Sequence, residues 1–173
     1  YCSAMKKQEQ ILLGIVMERH KVDNPWTSHT WRTVTVIPGA PRFRQWQEMA
    51  HTKHWTRFFA GSLPLRLHRG ETEGYRVNLS QAQPSVYVVL RNVTDDRPLP
   101  FLVTACPFEA EDYEVSGEER TDRVTMPHEI TALVGHFIEA HHVEEKFIKR
   151  QRAPHKSGTK TFPSERLAGK RYG

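Results

Sequence analysis

The sequence predicts an α+β fold: a mostly antiparallel, curled sheet or small barrel of about six strands, one C-terminal helix and an extended basic tail. Three observations predict it. Short runs rich in branched and aromatic residues recur between residues 11 and 106, each closed by turn residues. A single apolar stripe of helical period appears, and only after residue 126. Strands and helices do not alternate, so a doubly wound parallel sheet is not expected.

Ile11–Arg19 is apolar and branched, as a buried strand requires, and Asp23-Asn24-Pro25 turns the chain after it. Trp31–Ile37 alternates two faces and stops at Pro38-Gly39. Phe43–His54 is polar and reads as a short helix or irregular loop. Trp55–Leu67 reads as a strand broken at Gly61 and Pro64. Arg66–His68 and Glu73–Leu79 then flank Arg69-Gly70-Glu71-Thr72 as a hairpin. Ser85–Arg91 is the strongest strand, and Phe101–Cys106 is another. Glu109–Arg123 reads as an acidic connector. The helix starts near Met126-Pro127, with proline favoured at a first helical position. Ile130, Leu133, Val134, Phe137, Ile138 and His141 form its buried stripe, and Phe147 and Ile148 extend the pattern toward Arg150.

At 173 residues one domain is the default, assigned to 1–150, with 151–173 as the tail. Hydrophobic residues reach 38%, below the roughly 45–50% of an ordinary globular chain. No apolar run is long enough for a membrane helix, and the first residues lack a signal-peptide pattern. Two cysteines, Cys2 and Cys106, are too few for a disulfide scaffold or a self-contained metal site. The cytoplasm is the expected location.

The net charge of +5 hides a split. Residues 146–173 hold nine Lys and Arg against Glu165 alone, a net +8, which leaves 16 basic and 19 acidic residues, or −3, for the rest. The body even concentrates acid at Glu109, Glu111, Asp112, Glu114, Glu118, Glu119 and Asp122. A body of that sign repels phosphate, and the tail has only Phe162 and Tyr172 to stack bases, so nucleic-acid binding is not the expected role. The tail carries Pro154, Gly158, Pro163 and Gly169 and cannot repay its ordering entropy by self-burial. It is expected to lie on the acidic 109–122 segment or, better suited to so long an arm, on another subunit.

Searching for catalytic chemistry yields little. His128-Glu129 begins like a zinc-protease pattern, but His136 lies eight residues on, about 12 Å along a helix. His51 and His54, or adjacent His141 and His142, form no better metal set. Cys106 lies in an apolar strand and reads as a buried, inert thiol. Phosphate-loop, dinucleotide and nucleophile-elbow patterns are missing. The polar run His68-Arg69-Gly70-Glu71-Thr72-Glu73-Gly74-Tyr75 offers a base, an arginine and carboxylates. It reads either as an active site or, with more weight, as charges paired across a turn or a rim that meets a partner. Trp26, Trp31, Trp46 and Trp55 interleave with Arg32, Arg42, Arg44 and Arg57, a pairing enriched where proteins meet proteins. Ordinary core packing is expected to claim two of the four tryptophans.

The strings Val16-Met17-Glu18-Arg19, Asn24-Pro25-Trp26, Trp31-Arg32, Val36-Ile37-Pro38-Gly39 and the whole of Leu67–Leu79 resemble an uncharacterised bacterial domain family. Its genes tend to sit beside those of molybdenum- or tungsten-dependent formate dehydrogenases. Val86–Arg91 and the Met126-Pro127 helix start are similar too, so the resemblance spans Ile11 to His142 and excludes the tail. It carries over no catalytic residue. It implies a non-catalytic accessory subunit, or alternatively a transient assembly factor, of such a complex.

The expected partner is then the large and/or iron–sulfur subunit, and no cofactor is expected on this chain. The expected contact residues are Trp26, Trp31, Arg32, His68, Arg69, Glu71 and Tyr75, with tail cations Arg150, Arg152, Lys156, Lys160 and Arg166.

Overall fold

The structure, a computed structural model, describes residues 8–23, 25–26, 29–39, 42–92 and 97–142. Its strands are β1 (Gln8–Lys21), β2 (His29–Pro38), β3 (Gln47–His51), β4 (Trp55–His68), β5 (Ser85–Arg91), β6 (Leu99–Thr104) and β7 (Arg120–Thr125). Its helices are a single 3-10 turn at Arg69–Glu71, α1 (Thr72–Leu79), α2 (Pro107–Ser116) and α3, which covers residues 128–142.

Six strands run in the order β2-β1-β4-β6-β5-β7, with β3 paired to β4 off this path. All pairings are antiparallel except β4–β6, which meet in parallel at Leu65 and Val103. The sheet is therefore mixed. It is also nearly closed: the Thr33 N–H of β2 donates to the Asp122 carboxylate of β7 at 2.8 Å, and Arg120 donates to the Trp31 carbonyl at 2.7 Å. Side chains span the seam where a seventh ladder would complete a barrel.

One core fills this sheet. Leu13, Ile15 and Met17 of β1, Leu65 and Leu67 of β4 and Val86, Val88 and Leu90 of β5 form it with Tyr75 of α1 and Ile130, Val134 and Phe137 of α3. These last three are the stripe that the helical period marks out. Tyr87 and Val89 are buried on the other face of β5, the side on which α2 packs. Both faces of β5 are thus covered, which explains its unbroken apolar run.

Several local expectations are corrected. β4 does not break: Gly61, at φ +121°, forms a bulge opposite Ile15 and Val16, a conformation glycine adopts without a Cβ penalty. Pro64 falls where β3 has already ended and the single β6 pair has not begun, so its missing N–H is tolerated. Residues 69–79 are helical, not the second arm of a hairpin. The acidic connector is α2 followed by β7, with Pro107 opening the helix and Gly117 closing it. Part of the polar 43–54 stretch is β3, an edge strand on half of β4. The described residues therefore hold three α-helices where one was expected. The expected boundary at 150 and the tail beyond it lie outside the described residues.

Candidate partner interface

One end of the sheet gathers aromatic rings and arginines. Trp31 of β2, Trp46 before β3 and Phe58 of β4 meet with ring centroids 5.6–6.3 Å apart. Trp31 and Trp46 pack on the core, and Trp46 holds φ at +64°, a left-handed geometry that its ring contacts must stabilise. Guanidinium groups cover the cluster. Arg19 lies 5.3 Å from the Phe58 ring and 5.8 Å from Trp31, and Arg97 lies 4.4 Å from Trp46. The indole N–H of Trp31 is buried with no hydrogen-bond partner among the described residues.

Beside this cluster, Glu18 of β1 is buried between neighbouring strands, in register with Arg32 of β2 and Arg57 of β4. Arg57 Nε donates to its carboxylate at 2.8 Å, His20 Nε2 lies at 2.9 Å, and Arg32 stands back at 3.8 Å. Burial alone would raise the Glu18 pKa. Hydrogen bonds with Arg57 and His20, and the attraction of those groups, outweigh it and hold the carboxyl below 4.5. Arg57 also stacks 4.8 Å from Trp55. Arg32 keeps 66% of its side chain in solvent. Trp26, in the connection between β1 and β2, is 88% exposed. Of the four tryptophans it is the one the fold holds out.

The second candidate cluster divides between surface and core. His68 ends β4 on the surface, and its backbone N–H donates to the Tyr75 hydroxyl at 2.9 Å. Arg69 lies half-buried in the 3-10 turn. Tyr75 is in the core, edge-on to Phe137 at 6.1 Å, and burial drives its phenol pKa upward, so it stays protonated. It is withdrawn from any partner surface because the segment is a helix with this face inward. Glu71 is half-buried against the Cys106 thiol. Burial first, and that carboxylate next among the groups that raise it, push the Cys106 pKa to about 11. The thiol is buried as expected, but Cys106 lies two residues beyond β6, at the N-cap of α2, and not in the strand.

A cleft of about 90 Å³ along the β4–β6 junction is lined by Arg66, His68, Phe101 and Glu109 among others. Of the polar run it includes His68 but not Arg69, Glu71, Glu73 or Tyr75. Glu109 there accepts a hydrogen bond from Thr104 at 2.6 Å. Among the described residues no group of three His, Cys, Asp or Glu side chains is placed to hold a metal ion, and no helix is long and apolar enough to cross a membrane.

A residue that sequence reasoning missed is Asn78, fully buried in α1. Its amide donates to the Ser85 and Ala105 carbonyls at 2.7 and 2.8 Å and accepts from Ser85 N–H at 3.0 Å. It ties α1 to the start of β5 and the chain after β6, and so fixes where His68 and Arg69 sit. The sequence marks it only as a polar residue following the His68–Tyr75 run, on the Arg76 side of an expected strand. The tail cations Arg150, Arg152, Lys156, Lys160 and Arg166 lie outside the described residues.

A family profile described as "Protein of unknown function (DUF3305)" matches residues 12–151. The chain belongs to that family. The match runs from within β1 to beyond the described end of α3, so it takes in the near-closed sheet and its helices apart from the first four residues of β1. No curated protein and no solved structure matches the chain.

Proposed function

We propose that this member of the family is a non-catalytic accessory subunit of a metal-dependent formate dehydrogenase complex in the cytoplasm, bound to the large and/or iron–sulfur subunit. Trp26 carries the reading. An indole held in water between two long strands forgoes burying roughly 200 Å², an area worth on the order of 5 kcal/mol at 25 cal/mol/Å². Tryptophan and arginine dominate the energetic centres of protein interfaces, and Arg32 follows three residues into β2 with its guanidinium largely in solvent. His68 and Arg69, with the tail cations, widen the contact. The resemblance of residues 11–142 to proteins encoded beside such dehydrogenases supports the partner's identity. Binding shifts the folded complex away from its dissociated parts by mass action.

The test is a native pull-down of the tagged chain from its source cell, with mass spectrometry of the retained proteins and of the intact complex. Stoichiometric recovery with a formate dehydrogenase large subunit is the expected result. Trp26→Ala combined with Arg32→Ala should reduce recovery at least about tenfold, the scale of hot-spot truncation, at an unchanged melting temperature. A lone species near 20.1 kDa, or undiminished recovery of the double variant, overturns the reading.

A further inference from the structure

The inward face of β2 holds hydrogen-bond donors that nothing satisfies. Trp31 and Thr33 lie two apart, so both point to the face opposite Arg32. The Trp31 indole N–H and the Thr33 hydroxyl are shut off from water and have no partner among the described residues. Thr33 as a whole is only 6% exposed. Buried polar groups are nearly always paired, so two orphans on one strand face call for a reason.

Two guanidinium groups stand over the same rings. Arg19 lies 5.8 Å from Trp31 and 5.3 Å from Phe58. Arg97 lies 4.4 Å from Trp46, whose ring is 5.8 Å from that of Trp31. Neither guanidinium has a carboxylate or another hydrogen-bond acceptor among the described residues. On β7, Arg120 and Asp122 are in register with Leu90 and Val88 and so face the same interior. They pair with each other, and bond the Trp31 carbonyl and the Thr33 N–H. Three arginines thus meet one aspartate here.

The unmet groups are donors. Guanidinium and indole N–H only donate, and the hydroxyl is free to donate. What they lack is an acceptor, best a negatively charged one. Asp122 indicates the kind, because a flat carboxylate already sits here between a guanidinium and a backbone N–H. Its charge disfavours a doubly negative neighbour such as phosphate and leaves room for a single one. Trp46, at φ +64°, is the strained residue of this rim, and such strain gathers at ligand sites.

We propose that this end of the sheet binds a second carboxylate, which accepts from Arg19 and Arg97 and, beneath them, from the Trp31 indole and the Thr33 hydroxyl. It enters at the seam, where side chains alone join β2 to β7 and no ladder hydrogen bond has to break. The carboxylate belongs to a small organic acid or to an Asp or Glu side chain of a bound protein. The site does not rest on the accessory-subunit reading, and its test needs no partner.

The experiment titrates the full isotope-labelled chain with sodium acetate, with ionic strength held constant by sodium chloride. The Trp31 indole N–H signal, assigned through Trp31→Phe, should move and saturate, while that of exposed Trp26 stays. Acetamide, similar in shape but uncharged, should bind at least about tenfold more weakly. Arg19→Gln with Arg97→Gln should weaken acetate binding at least about tenfold, the scale of a lost charge-assisted hydrogen bond. Thr33→Val removes the orphaned hydroxyl at nearly constant size. The melting temperature should hold or rise while acetate affinity falls at least about threefold. The peptide acetyl-Gly-Glu-Gly-amide separates the two sources: tighter binding than acetate assigns the site to a protein side chain, and weaker binding to a small acid. An indole signal that does not move, or moves equally with acetamide or in the arginine double variant, overturns the proposal. So does inorganic phosphate that displaces acetate more tightly than acetate binds, or a Thr33→Val chain that loses stability and keeps its affinity.

Discussion

Gly74 of α1 lies so close to Cys106 that a β-carbon on residue 74 would overlap the sulfur. The contact joins α1 to the N-terminus of α2, and glycine is required there for space. Gly74→Ala gains up to about 1 kcal/mol of helix propensity. It loses about 1–3 kcal/mol to overpacking, so a net destabilisation of about 1–2 kcal/mol is expected from urea unfolding. Adding Cys106→Ala removes the obstructing sulfur, and the double variant should be more stable than the sum of the single effects predicts. Strict additivity would show that the contact does not limit residue 74.

The ion cluster at Glu18 predicts a pH dependence. Its folded pKa is depressed, so its stabilisation is complete above the unfolded value of 4.5 and is lost as pH falls through the folded value. Glu18→Gln should cost on the order of 1–3 kcal/mol at pH 7, below the full cost of breaking a buried pair because Arg57 is 39% exposed. That difference should shrink below pH 4.5 as the wild-type carboxyl protonates. Parallel stability curves for the two proteins between pH 7 and pH 3 would contradict the assignment.

The seam between β2 and β7 predicts a local effect. Asp122→Ala removes the acceptor for Thr33 N–H and the partner of Arg120, at about 1–2 kcal/mol. Hydrogen exchange at Thr33 should accelerate roughly tenfold, the equivalent of 1.4 kcal/mol, while Val88 in the core changes less. Asp122→Asn retains an acceptor and should fall between. Equal acceleration at both amides would mean global destabilisation with no local opening of the seam.

The strands were legible where burial is one-sided or complete, as in β1, β2 and β5, and so was the stripe of α3. The misread segments have weak or conflicting local signals. In α1, Tyr75, Val77 and Leu79 alternate like a strand, and Gly70 and Gly74 lower helix propensity. What makes the segment helical is tertiary: Asn78 bonds to two distant carbonyls, and Thr72, Tyr75 and Asn78 share one buried side. In α2 a small residue, Ala110, is the fully buried contact, so four acids dominate the reading. β3 is a polar edge strand recognisable only from β4 beside it. At the candidate interface, exposure separates residues that composition cannot: Trp26 and Trp31 are the same type, but one faces water and the other closes the barrel end. The polar run was visible as a cluster, yet its direction depended on the helix, which turned Tyr75 inward.

The parallel contact between β4 and β6 rests on one residue pair, Leu65 and Val103, while Thr33 and Asp122 close the opposite side. The sheet thus consists of two antiparallel halves, residues 8–68 and 85–125, joined narrowly on both flanks. Each half assembles from hairpins and pairings within its own stretch of chain, at modest loop-closure cost. Uniting them must bring together groups 89 residues apart, the separation of Thr33 from Asp122. Contacts of that span form slowly. The seam between Thr33 and Asp122 is therefore predicted to form after the local β1–β2 and β3–β4 hairpins, an order that a φ-value near zero for Asp122→Ala would support and one near unity would overturn.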